Sequence, residues 1–310
     1  MDSLIKIEGQ PLEKLIDTVT NALGTVFEPW CIKRKAKAEA KAEAIKAIEQ
    51  AKTKAIIDGD TEKALYYEHI DKRLTYKEYK RQKNIDTVVS NAGNILSNEK
   101  NVSNEKVNED WTTRFFDIVQ DVSDTDMQLL WGQILAGEIK QPKSYSLRTL
   151  EILRNMTKEE AELFQKVAQF VIVGSNTFIL SFQDFFNKNG IHYIDIAKLV
   201  EIGLFQQGDF VSQNYMPTTQ YGDEIPLIYG NKVIIIRRKP QSSQLSLPIR
   251  LLSTPGQELV KLVTITPTLD YVKELANSIK KDNINVFCYN INIIHPNGTI
   301  NFDRNSMIEF

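Results

Sequence analysis

From Cys31 to Asp58 the chain holds neither glycine nor proline, and residues 33–55 within it read KRKAKAEAKAEAIKAIEQAKTKA. Alanine, lysine and glutamate are strong helix formers, so this stretch has little choice but to be helical. Alanines 36, 40, 44, 47, 51 and 55 recur at steps of four and three, nearer an 11-residue repeat than a heptad. Such a seam allows close approach of another helix but buries little apolar area, so it is a weak glue by itself. Eight Lys and Arg face three Glu across 33–55, with the excess gathered at the start in KRKAK. The stretch reads as a solvated helical stalk.

What precedes it is amphipathic. In residues 11–27, Leu12, Leu15, Ile16, Val19, Leu23, Val26 and Phe27 fall on one helical stripe, with Pro11 suited to the first turn. Pro29 then interrupts the path, Trp30 follows, and Lys33, Arg34 and Lys35 form a basic collar. A stripe beside a collar can lie in a membrane interface or pack on protein, its own or a second copy's. The stripe, Trp30 and the collar are therefore the expected membrane or oligomer contacts. A further helix is expected over about 61–97, and the polar run 98–108 has the composition of a linker.

Residues 109–188 carry successive helical stripes, among them Trp111, Phe115, Ile118 and Val119, then Met127, Leu130, Trp131, Ile134 and Leu135. Ser123 is the expected cap of the second of these helices, and Thr157 with Glu160 forms a capping box for a later one. From 189 to 310 the pattern is mixed. IDIAKLVEIG is a short helix ending at Gly203, IPLIYGNKVIIIRRKP is a hairpin around Gly230–Asn231, and Pro296–Asn297–Gly298 is a second hairpin tip. The fold class is thus mainly α with a C-terminal α/β portion. The parts are an N-terminal helical region (1–97), a linker (98–108), a central helical domain (109–188) and a winged-helix-like region (189–310).

Chemistry-bearing motifs are sparse. With 42% apolar residues, 25% charged residues and a net charge of −2, the chain can bury a core and has no global pull on polyanions. Cys31 and Cys288 stand far apart without a CxxC, which fits a reducing cytosol. His69, His192 and His295 are isolated, and no phosphate loop or nucleophile elbow is present. No metal or cofactor site is expected. Glu138 and Lys140 spell the E-x-K of metal-dependent nucleases, yet they close a helix just before Pro142. Arg237, Arg238 and Lys239 end the first hairpin and, on a wing, could hold phosphate.

The segment EDWTTRFFDIVQDVSDTDMQLLWGQILAGEIKQPKSYSLRTLEIL, led by the QPLEKLI helix and the Ala/Lys/Glu run, resembles an uncharacterised bacterial family, domain of unknown function twenty-eight-oh-six. Trp111, Arg114, Trp131, Gly132, Gly137, Glu138 and Arg148 are among the positions that carry it. The family has no established catalytic residues to transfer. The small residues suit close helix packing, and Arg148 is placed to pair with Glu138 across the turn. The N-terminal plan also looks like that of abortive-infection proteins, which implies defence against phage. The leading expectation is therefore a non-enzymatic antiphage protein, cytoplasmic or peripheral at the inner membrane, acting there through its N-terminal helices. Its expected partners are further copies of itself, a phage protein and the membrane surface. A winged-helix nucleic-acid-binding regulator is the second expectation, and a nuclease using Glu138 and Lys140 the third.

Overall fold

The computed structural model describes residues 9–23, 47–48, 50–208, 211–295 and 297–310. Contacts gather into two units, Met1–Leu150 and Glu151–Phe310. The first is helical. It contains α1 (Gln10–Leu23), a helical run over 50–57, α2 (Thr61–Leu96), α3 (Glu109–Val119) and α4 (Thr125–Lys140). The division falls inside α5 (Leu147–Asn155).

Helices α2, α3 and α4 each begin where a side chain takes over an orphan N–H. Asp60 accepts from Lys63 N, and Asn108 accepts from Trp111 N. The cap of α4 is Asp124, which accepts from Asp126 N and Met127 N. Ser123, the expected cap, instead accepts from the buried Asn84 amide at 3.4 Å. The core lies where the second half of α2 meets α3 and α4, with Val88, Ala92, Leu96, Phe115, Val119, Trp131, Ile134 and Leu135 almost fully buried. Gly132 sets the approach, since a Cβ there would stand 2.5 Å from Asn91 Cβ and 3.2 Å from the Val88 carbonyl oxygen. The 98–108 stretch forms no helix or strand. It is tied to the unit by Ser103 N–H donating to Lys140 O at 2.9 Å and by Gln10 donating to Asn104 at 2.6 Å.

The second unit contains α6 (Lys158–Ala168), α7 (Gln183–Lys188), α8 (Tyr193–Ile202), α9 (Thr254–Leu259) and α10 (Leu269–Ser278). Its strands are β1 (Ile172–Val173), β2 (Thr177–Leu180), β3 (Val211–Tyr215), β4 (Asp223–Tyr229), β5 (Lys232–Arg238), β6 (Leu245–Leu251), β7 (Ile284–Ile294) and β8 (Ile300–Glu309). They make one antiparallel sheet in the order β3-β6-β2-β1-β4-β5-β7-β8. The Thr157–Glu160 capping box forms as expected, Gly203 ends α8 at φ 95°, and Gly230–Asn231 turns β4 into β5. Tyr271 on α10 is fully buried, its hydroxyl accepting the Leu180 N–H at 2.8 Å amid Phe170, Phe185 and Phe186. Burial holds its phenol well above the ordinary range.

Candidate functional site

Of the residues that carry the family pattern, Trp111, Trp131, Gly132, Gly137 and Glu138 are packed on or around α4. Trp131 is enclosed, with Phe115 edge-on at 5.5 Å. Trp111 stacks on Phe115 at 5.0 Å and donates its indole N–H to Tyr145 O at 2.8 Å. The Tyr145 ring lies on Gly137, where a Cβ would meet Cε2 at 2.7 Å. Glu138 is 1% exposed, and its carboxylate accepts Lys143 N–H at 2.6 Å and Tyr145 N–H at 3.0 Å. It thereby fastens a turn in which Lys143 takes φ 69°, a left-handed conformation that a non-glycine residue adopts only when held. Arg114 and Arg148 are exposed on α3 and α5. Tyr145 was invisible in the sequence pattern, a single aromatic between two serines with no period to mark it.

The two nuclease candidates part company here. Glu138 faces inward to backbone, while Lys140 lies at the surface and pairs with Glu99 at 2.6 Å. Among the described residues no group of three or more His, Cys, Asp and Glu is placed to hold a metal ion. A hollow lined by Ser181, Gln183, Phe186, Tyr193, Ile196 and Arg250 has about 20 Å³ of free space, room for one water rather than an organic substrate.

The α1 stripe is occupied by the protein itself. Leu12, Leu15 and Val19 are buried against α3 and α4, with Ile16 and Leu23 half-buried. Lys14 Nζ donates to Ser103 O at 2.7 Å and to Ile139 O at 2.8 Å, pinning α1 to the end of α4. Desolvation lowers its pKa, against the pull of Glu105 and Glu138. In this fold, therefore, Leu12, Leu15 and Val19 are covered by the protein's own helices. Val26, Phe27, Trp30, Lys33, Arg34 and Lys35 lie outside the described residues. Among the described residues no helix is long and apolar enough to cross a membrane.

Each residue of the basic cluster also has a partner within the fold. Arg238 is only 2% exposed; its guanidinium grips Asp223 through two nitrogens, with Tyr215 O at 3.4 Å and Ser243 O at 3.5 Å. A phosphate has no path to it. Arg237 donates to Glu224 at 2.7 Å and lies 4.8 Å above the Phe287 ring, and Lys239 donates to Asp282 O at 3.0 Å. These three side chains hold strands β4, β5 and β7 together.

By contrast, α8 presents apolar side chains to solvent. Tyr193 and Ile194 are 61% and 59% exposed at its first turn, beside the exposed Lys198 and Glu201. Their neighbours Ile196 and Leu199 face the core.

These features define a class: a helical unit followed by a helix-flanked antiparallel sheet, whose most recognisable residues serve packing. The model of a family described as a protein of unknown function (DUF2806) matches residues 68–276, and the chain belongs to that family. No curated protein and no solved structure matches it.

Proposed function

We propose that the protein is a non-enzymatic docking protein, and that residues 158–251 form a winged-helix element which binds a protein partner through α8. The order of elements carries this reading. Apart from the two-residue β1 ahead of β2 and the β4–β5 hairpin, a helix, a strand, two helices and two strands follow as α6, β2, α7, α8, β3 and β6, and these three strands pair as β2-β6-β3. That is the winged-helix sequence of elements, with β4 and β5 inserted where a wing would be. Helix α8 then occupies the recognition position. Its exposed Tyr193 and Ile194, with one lysine against two carboxylates in Tyr193–Ile202, suit protein better than a polyanion.

A photo-crosslinking amino acid at Tyr193 tests this in cells. Protein adducts lost with Ile194→Asp support the reading. Nucleic-acid adducts, with steeply salt-dependent duplex binding lost on Lys198→Glu, would overturn it. A role in phage defence at the inner membrane is part of the same proposal only if α1 leaves its seat. Leakage of anionic liposomes by the full chain, abolished by Leu15→Asp, would support that step; no leakage would remove it.

A further inference from the structure

Helix α2 has two halves of opposite character. From Asn84 onward Asn84, Ile85, Val88, Val89, Ala92 and Leu96 are buried in the bundle. Before it only Ala64 is buried, and the described flank is the helical run 50–57, joined by Lys52 to Glu68 at 3.3 Å. Along this outer half, Glu62, Leu65, His69, Lys72, Tyr76, Tyr79 and Lys83 follow one another at steps of three and four and are all exposed. That is the spacing of a coiled-coil seam.

Leu65, Tyr76 and Tyr79 on this seam, with Tyr66 beside it, are 56%, 69%, 62% and 65% exposed. Tyrosines bury ~150–250 Å² each when covered, so this surface reaches the several-hundred-Å² scale of a standard interface, ~800 Å² a side. Its charge is divided along the helix axis. Residues 58–71 carry five carboxylates against Lys63, and residues 72–83 carry six Lys and Arg against Glu78. Arg81 is already engaged by Asp121 at 2.7 Å and Lys72 by Glu68 at 2.8 Å, which leaves Arg73, Lys77, Lys80 and Lys83 on the shaft.

We propose that the outer half of α2 binds a second copy of this chain in antiparallel fashion, about a two-fold axis near Ile70–Asp71. In that arrangement the acidic tip of each copy lies on the basic shaft of the other. Leu65 of one copy packs on Tyr76 of the other, twice. A parallel pairing would set tip against tip and shaft against shaft. The inference is independent of the winged-helix reading.

Sedimentation of the full chain across concentration tests it: a dimer is expected, weakened by salt. Tyr76→Glu with Tyr79→Glu should raise the dimer dissociation constant at least tenfold while the circular dichroism spectrum stays unchanged. Charge reversal separates this from a general loss of apolar contact. One variant reverses the tip (Asp58→Lys, Glu62→Lys, Asp71→Lys), and another reverses the shaft (Lys77→Glu, Lys80→Glu, Lys83→Glu). Each alone should be monomeric, and an equimolar mixture should form a heterodimer. In a Cys31→Ser background, the Leu65→Cys/Tyr76→Cys double variant should crosslink on oxidation while neither single variant does, because residues eleven apart stand ~16 Å apart along a helix. A monomer at every concentration, a dimer indifferent to these changes, or crosslinking through a single variant overturns the proposal.

Discussion

At Gly132 the backbones of α2 and α4 approach closely, and the sterics there allow a sharp forecast. A methyl at this position would push into Asn91 Cβ and the Val88 carbonyl, neither of which is a flexible side-chain end. Gly132→Ala should therefore cost ~1–3 kcal/mol by overpacking, read as a lower urea midpoint, even though alanine is the better helix former. An unchanged or raised midpoint would mean the helices are not seated this closely. Asp86 offers a test of the opposite sign. Burial raises its carboxyl pKa, partly offset by the Gln82 amide donating at 2.8 Å. Because the folded pKa lies above the unfolded one, the carboxyl favours folding most at acid pH, below its unfolded value. That advantage fades as pH rises between the two values, and at neutral pH the charged form carries the penalty. Asp86→Asn should thus raise the melting temperature at pH 7, with the gain vanishing toward pH 3; an equal gain at both pH values would point to another cause. Residue-level features that depend on a few neighbours in sequence were legible beforehand, such as the Thr157–Glu160 box and the left-handed Gly203. The partner of Glu138 was not, because two backbone N–H groups in an irregular turn leave no mark on residue type.

At the level of elements, the contrast between α1 and the β4–β5 hairpin shows where local reasoning stops. An apolar stripe says that a helix must be covered, not by what, and the groove formed by α3 and α4 is assembled from residues a hundred positions away. If that groove is the seat of α1, Leu15→Ala should cost ~2–5 kcal/mol, as deletions in a packed core do. A substitution without effect on the urea midpoint would show that α1 contributes nothing to the fold. The burial of Arg238, in contrast, was within reach of the sequence. A two-residue turn at Gly230–Asn231 fixes the register, which sets Asp223 opposite Arg238 and Glu224 opposite Arg237. Counting back from the turn would have turned an apparent phosphate-binding cluster into two cross-strand ion pairs. Removing Asp223 alone, which leaves the buried Arg238 behind, should be worse than removing both partners. Asp223 is 42% exposed, so water screens part of the loss: Asp223→Ala takes the carboxylate from a buried guanidinium and is expected to cost ~1–3 kcal/mol, whereas Asp223→Leu with Arg238→Met should recover much of it in a thermal melt. A double variant as unstable as the single one would overturn the pairing argument.

On the scale of the whole molecule, the family match and the fold end in different places. The match stops at residue 276, yet β7 and β8 follow it, and β7 is an interior strand between β5 and β8. Val286, Phe287, Cys288 and Tyr289 are buried there, with Phe287 and Tyr289 covering Ile235 and Val233 on one face of the sheet. Sequence patterns exposed the hairpins but not this order, since β2 finds β6 some seventy residues on and β1 contributes only two residues. A chain ended after Asn283 would keep every matched residue and still leave β5, with its run of Val233, Ile234, Ile235 and Ile236, as a bare sheet edge. Unpaired, apolar and long, such an edge is a template for aggregation. Residues 1–283 should therefore be recovered mostly as insoluble or high-mass material, whereas removing only Met307 to Phe310, the end of an existing edge strand, should leave soluble yield nearly unchanged. Size-exclusion chromatography of the two truncations side by side decides the matter, and a monodisperse, cooperatively melting 1–283 would show that the family core folds without its last two strands.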